Sequence, residues 1–499
     1  MRFILPLLAC LLMFACGDTS PVSNAEAASS REAYLKQRDQ LAQKSWTSEQ
    51  VATAAQDVYN QKRDSLLLAY RRANRFPLAQ NNFYSAKGEI EQSSLFKMLD
   101  NMPKGGLLHT HDLALGSAWL LVDMAITMPN CYVYWGEDNA RYIKGQLGFF
   151  APGKAPGGFM ETASLNQLSP RFRAELYDLL SFDSRDIDQA KDIWVPFEKQ
   201  FQRRLGFMHY RPAMISFFVA AFNDLAKSGV QHVELRSILS DGLYDLNHEK
   251  GYYNTDSMVV AFKQAHAISK IQNPHFTLKI IHTGLRFLPA KIVKVDLAKA
   301  YGLKKRHPDI IVGYDLVGQE DGGMPTLMHL DCCWLKQDSL ANAYGVKLPL
   351  YLHDGESNWP GNDNLFDAAL LNVKRIGHGL NLFRYPQVEA SIKEQGICVE
   401  ISPLSNQILG YVPDLRNHPG LGYFRRGIPI SLNNDDPSIF AYHGLSYDFW
   451  VAAVAWGFDL NEVKKLARNS LEYSALEGDE KRTAIKRWEE KWADWEASL

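Results

Sequence analysis

Two imidazoles and a carboxylate stand together at His109, His111 and Asp112. In an extended strand, alternate side chains face the same side, so His109 and His111 can aim at one point. Neutral imidazole is a common zinc ligand, and two on one strand end make half of a tetrahedral site. Alone, the pair is a weak signal and reads more simply as two polar residues where a strand surfaces. The question is whether other residues supply the missing ligands. His353-Asp354-Gly355-Glu356, Gly377-His378-Gly379 and Asn433-Asn434-Asp435-Asp436 each follow an apolar run. Singly, each has a bland reading: a core histidine, loop acids, ordinary turn chemistry. Jointly they favour one shared site. His109, His111, His353 and Asp435 offer three nitrogens and one oxygen, a set that suits one zinc ion per subunit. Zinc held this way lowers the pKa of a bound water towards about 7. Glu356, just past His353, is placed to give or take a proton beside the metal, and His378 to orient or deprotonate the water. Gly355, Gly377 and Gly379 allow the backbone to approach a substrate closely.

These residues need elements to position them. Runs rich in β-branched and apolar residues occur at 107–111, 231–236, 277–282, 310–316, 348–353, 373–378, 397–402 and 428–432. They alternate with helical patterns, which predicts parallel βα units. Eight such units fit an α/β fold of the (β/α)8 TIM-barrel type, with insertions, in which active sites collect at the C-terminal ends of the strands. The chemically loaded residues stand at those ends. A doubly wound open sheet is the rival, but neither G-x-G-x-x-G nor a P-loop opens a βα turn.

The rest of the chain reads as additions to that domain. Residues 1–15, with Arg2 before the apolar run 3–14, read as a lipoprotein-type signal peptide, too short for a permanent membrane span. Cys16 after Ala15 is the candidate lipidated N-terminus, and Cys10 a weaker rival. The predicted address is the bacterial cell envelope, with plain secretion as the alternative. Residues 16–30 are small and polar and read as a tether. Residues 31–100 read as a helical region, with Ser48 a candidate start of its second helix; the early helices cap the main domain or make a homodimer contact. The (β/α)8 barrel is expected over 101–478. The Gly/Pro-rich 136–170 reads as a long insertion or lid. A C-terminal helix is expected over 479–499, with Trp488, Trp492 and Trp495 packing on the barrel rather than on lipid. Cys131, Cys332, Cys333 and Cys398 lack a C-x-x-C spacing, so no zinc ribbon or thioredoxin-like site is indicated. The 499 residues carry a formal net charge of −2 with no basic tail, which offers nothing to nucleic acid.

In order along 102–474, the segments MPKGGLLHTHD, VELR, GYDLVGQED, KLPLYLHDGES, RIGHGLNL, EISPLSNQIL, DLRNHP, LNNDDP and GLSYDFW together resemble the adenosine deaminases. They look most like the extracellular branch, the adenosine deaminase-related growth factors (adenosine deaminase 2). The resemblance implies a zinc-dependent barrel that deaminates a purine nucleoside. It implies zinc ligation by His109, His111, His353 and Asp435, protonation of purine N1 by Glu356, and assistance to the water by His378. It implies further that Asp436 meets N7, the Gly318 backbone N–H meets N3, and Asp112 and Trp194 face the ribose. The chain departs from the pattern at Asp354, where Ala is usual, at Asn434, where Ser or Thr is usual, and at Leu285, where extracellular relatives place His. These changes are expected on the substrate side. Two other readings stay open: deamination of another aminopurine or modified nucleoside, and a non-enzymatic surface binding protein on this scaffold.

Overall fold

Eight parallel strands follow one another in chain order: β1 (Gly105–His111), β2 (Val230–Ser237), β3 (Thr277–Leu285), β4 (Ile311–Val317), β5 (His353–Asp354), β6 (Arg375–His378), β7 (Cys398–Ile401) and β8 (Ile430–Leu432). The computed structural model describes residues 24–44, 53–80, 83–247 and 253–499. Each strand within β1–β4 and within β5–β8 pairs with the next. The two seams are single parallel bridges, Tyr314 with Leu350 and Thr110 with Asp435. The eight strands therefore ring a common axis as a (β/α)8 barrel. Strands covered on both faces must be apolar throughout, and Leu107 and Leu108 are both fully buried. The fifth strand is shorter than its apolar run. Pro349 has no N–H and serves only as an acceptor, from Tyr314 N at 2.9 Å.

The helix Leu460–Glu472 follows β8 and buries Val463, Leu466, Ala467 and Leu471. It lies so near β1 that a Cβ on Gly105 would meet the Ala467 carbonyl oxygen at 2.5 Å, and Gly105 also has φ +79°. The last helix, Gly478–Ala497, buries Trp488, Trp492 and Trp495. Trp488 Nε1 donates to the Pro103 carbonyl at 3.0 Å, so this helix packs where β1 enters the barrel, as predicted.

One expectation is corrected. The 16–30 stretch read as a tether is helical in its second half, because a helix spans Asn24–Lys44. Ala25, Ala27 and Ala28 favour helix. The next helix, Ala54–Arg72, is capped by Thr53, whose hydroxyl accepts from Gln56 N. Ser48 lies outside the described residues, as do Cys10 and Cys16. Within 136–170 the chain is not a plain loop. Leu147–Phe149 and Phe159–Glu161 flank Cys131–Tyr134 in a small antiparallel sheet. Phe149 stacks on Tyr210 at 4.0 Å, anchoring the sheet to the main body. The four cysteines of the folded part are free thiols. Among the described residues no helix is long and apolar enough to cross a membrane.

Candidate active site

The pleat of β1 puts His109 and His111 on one side at its C-terminal end. Asp435, beyond β8, is drawn against them by the seam: Asp435 N donates to His109 O at 3.2 Å, and His111 N donates to Asp435 O at 3.1 Å. Asp435 takes a left-handed backbone, φ +59°, which Asp tolerates better than most residues. Its Oδ1 then lies 3.2 Å from Nε2 of both His109 and His111. Its Oδ2 accepts from Ser405 Oγ at 2.7 Å. One donor atom from each of His109, His111, His353 and Asp435 lies within 4.8 Å of the others. His109 Nε2 and Asp435 Oδ1 are buried and neither makes a well-aligned hydrogen bond. Orphaned buried polar atoms are costly, and a metal ion between them would remove the cost. The set fits a metal.

A second layer turns these rings inward. His109 Nδ1 is 2.8 Å from Glu400 Oε2, and His353 Nδ1 is 2.7 Å from Asp315 Oδ2. A carboxylate can only accept, so each Nδ1 carries the proton and each Nε2 offers its lone pair to the centre. Arg236 ties both carboxylates together, at 2.7 Å to Asp315 and 2.5 Å to Glu400. Arg375 continues the network to Glu400 at 2.5 Å and Glu234 at 2.6 Å. Burial opposes charge on Asp315 and Glu400, but His353 and Arg236 outweigh it at Asp315, and Arg236 and Arg375 at Glu400. Both carboxyls are held well below the usual range. Burial pushes His353 down to about 3, leaving a neutral ring suited to a ligand. Asp315→Asn should weaken metal binding by about 10–100-fold, the usual cost of a lost ligand-orienting partner. Competition against a chromophoric chelator measures it; unchanged affinity would remove Asp315 from this role.

Glu356 and His378 stand beside the cluster. Burial, reinforced by the charges of Asp435 and Glu320, pushes the Glu356 carboxyl well above its ordinary range. The shift favours the form that carries a proton. Gly355 precedes it at φ +88°, and a Cβ there would meet Asn381 Oδ1 at 2.7 Å and Leu365 Cδ1 at 2.9 Å. Glu320 pins this turn: its carboxylate accepts from Glu356 N at 2.7 Å and Gly355 N at 3.0 Å. His378 has φ +62°. Its tautomer follows from a chain of hydrogen bonds. Gly420 N donates to His418 Nδ1 at 3.0 Å, so His418 Nε2 carries a proton and donates to Asn406 Oδ1 at 3.1 Å. Asn406 Nδ2, 3.1 Å from His378 Nδ1, is then the donor. The neutral His378 ring holds its proton on Nε2, 4.0 Å from Asp435 Oδ2. Of the two roles predicted for His378, orienting a water fits this tautomer and deprotonating it does not.

These side chains open on a cavity of about 320 Å³. Asp112, Trp194, Gly318 and Asp436 line it together with His111, His353, Glu356, His378 and Asp435. His109 lies deeper, fully buried. Burial pushes the Asp112 carboxyl up to about 6, against the hydrogen bond it accepts from Ser237 Oγ at 2.6 Å. Gly318 has φ +106°.

Residues 177–491 match the sequence model of the adenosine deaminase family. The chain belongs to that family. It is 34% identical to adenosine deaminase 2 of Dictyostelium discoideum, over 82% of this chain and 76% of that protein. It is 33% identical to adenosine deaminase 2 of Sus scrofa, over 84% of each. The fold is similar to that of an N6-mAMP deaminase from Arabidopsis, with a TM-score of 0.58 at 16% identity, covering 79% of this chain and 99% of that one. The protein is a hydrolytic deaminase, and the reading as a non-enzymatic binding protein falls away.

Two departures expected on the substrate side of the deaminase lie elsewhere. Asp354 does not line the cavity. It is fully buried and its Oδ1 accepts from Thr326 Oγ1 at 2.6 Å, 3.7 Å from Arg286. Neighbouring strand residues face opposite ways, so His353 inward implies Asp354 outward. Asn434 is likewise buried off the cavity, its Nδ2 donating to Gly444 O at 2.9 Å. Leu285 does line the cavity. His282, the other histidine of that segment, is occupied by Asp296 at 3.0 Å. No residue of 136–170 reaches the cavity, so the region read as a lid does not cover it. The covering element is the helix Trp194–Met208. Glu320 and Glu400 were missed as supporting residues. Glu400 had a signal: it is the one charge in the otherwise apolar run 397–401, and such a charge needs a buried partner. Glu320 sits in a loop where a carboxylate is unremarkable.

Proposed function

We propose that this deaminase hydrolyses adenosine and 2′-deoxyadenosine to the corresponding inosines and ammonia, with one zinc ion per subunit held by His109, His111, His353 and Asp435. The observation that carries the reading is the convergence of those four donors beside a buried Glu356 of raised pKa on one cavity. The chemistry a zinc ion supplies in such a set is a water made nucleophilic near neutral pH. The chain's own residues do the rest. Glu356 gives its proton to purine N1, which makes C6 electron-poor. His378 holds the attacking water through its Nε2 proton. Asp436 meets N7, which can only accept, so the carboxyl has to be protonated; burial and the charge of Asp435 push it well above its usual range. The Gly318 N–H meets N3, and Asp112 and Trp194 meet the ribose. Oxygen from water bonds to C6 and the C6–N6 bond breaks; one water proton goes to the amine, which leaves as ammonia, and the other restores the Glu356 carboxyl, whose first proton stays on N1 of the product. Each group acts where charge develops, which is what lowers the barrier.

Ammonia release from a panel of purine nucleosides and bases, with purified zinc-loaded protein, tests the reading. Turnover of adenosine and 2′-deoxyadenosine is expected; none with either would overturn it in favour of another aminopurine. The place proposed for the reaction is outside the cytoplasm, in nucleoside salvage, with the chain tethered by lipid on Cys16. This rests on the leader sequence alone. Cys16→Ser should move the protein from the membrane to the soluble fraction, and continued attachment would count against lipidation.

A further inference from the structure

The cavity is charged at its buried end and apolar at its mouth. Leu205, Ile238 and Phe287 line it while remaining 42%, 40% and 51% exposed. Leu285, the last residue of β3, joins them. One face of the helix Trp194–Met208 contributes Trp194, Phe197, Phe201 and Leu205, whose spacing puts them on a single helical stripe. The one guanidinium among the described lining residues is that of Arg236, already committed to Asp315 and Glu400. No lysine lines the cavity there, and the same helix face adds the exposed carboxylate of Glu198. A phosphate at this end would meet no free cation and one like charge. Large apolar side chains left facing water at a cavity mouth are suited to covering an apolar part of a ligand.

We infer that the preferred substrate is an adenine nucleoside whose ribose 5′ carbon carries an uncharged, apolar group, a 5′-deoxy or 5′-alkylthio nucleoside, in preference to adenosine and to nucleotides. The assignment rests on the orientation proposed above, with the purine at Glu356 and Asp436 and the ribose at Asp112 and Trp194. The 5′ substituent then runs outward along the stripe to Leu205, Leu285 and Phe287. The bond chemistry is unchanged: water enters at C6, ammonia leaves, and the substituent is not touched. A hydrophobic pocket distinguishes ligands that differ by a methyl-sized group by about 10–100-fold.

The test compares kcat/KM of the zinc-loaded protein for adenosine, 5′-deoxyadenosine, 5′-methylthioadenosine and AMP. The 5′-methylthio compound is expected to exceed adenosine by about 10-fold or more, with AMP the poorest. Adenosine equal to or better than the two 5′-modified nucleosides would overturn the inference while leaving the proposed deamination standing. Turnover of none of the nucleosides would overturn the deamination reading itself. Phe287→Ser, and separately Leu285→Asn, should lower the ratio of 5′-methylthioadenosine to adenosine by about 5-fold or more. The ratio is insensitive to the fraction of protein folded. Binding of the products, 5′-methylthioinosine against inosine, by calorimetry reads the same preference without turnover; a tighter inosine complex would also overturn it.

Discussion

Glu356→Gln is expected to keep its full complement of zinc and to lose turnover by about 10³-fold, within the range for removing a positioned general acid. Gln has nearly the same shape and can hold the turn that Glu320 pins through two backbone N–H groups. It cannot release a proton to N1. The unmodified carboxyl can, because burial and then the charges of Asp435 and Glu320 push its pKa well above the usual carboxylate range. The sign for pH follows. The competent form is the protonated one, so kcat/KM should fall as pH rises through the raised pKa. Elemental analysis together with steady-state ammonia release checks the variant. Activity within 10-fold of the unmodified enzyme would remove Glu356 from its role, since that is below the least a general acid contributes.

His353→Ala is expected to lose the metal altogether in dialysed protein, and activity with it. The cost should exceed the 10–100-fold associated with a lost orienting partner, because a donor itself is removed. It also strips Asp315 of the imidazole that it holds at 2.7 Å, leaving a buried carboxylate with Arg236 at 2.7 Å. A second readout is independent of catalysis. A ligand that binds only the folded state stabilises it, by about 2.7 kcal/mol at 100 times its Kd. Added zinc should therefore raise the melting temperature of the unmodified protein and not that of His353→Ala. Unchanged zinc content in the variant would mean that the ligand set is wrong.

The C-terminal end of each strand was legible for a simple reason. A parallel strand buried on both faces has to be apolar, so a histidine or aspartate that closes or follows an apolar run stands out, as at His109, His353 and Asp435. Burial of the final helix was legible too, since Trp488, Trp492 and Trp495 recur on one helical face. The lengths of the strands were less so. Pairing depends on the neighbour, and Pro349 withdraws a donor that the run of apolar residues around it does not reveal. The supporting carboxylates were the hardest. Glu400 and Asp315 matter because Arg236, distant in sequence, reaches both, and only the closed ring of strands brings the three together.

The histidine pair of β1 shows where the division falls. Residue type and the two-residue period of a strand were enough to point His109 and His111 the same way, and the ordered motifs were enough to place the chain among the adenosine deaminases. The same period turns Asp354 away once His353 faces inward, but Asn434 lies past the end of β8, where no strand period applies. Asp354 and Asn434, expected beside the substrate, are turned into the packing by the strand and seam that present His353 and Asp435. The proton on His378 was beyond local reading as well, because it is set through Asn406 and His418 from another part of the barrel. Local periodicity determines which residues can converge. Which atom of each faces the centre, and in what protonation state, is decided by partners that only the tertiary fold supplies.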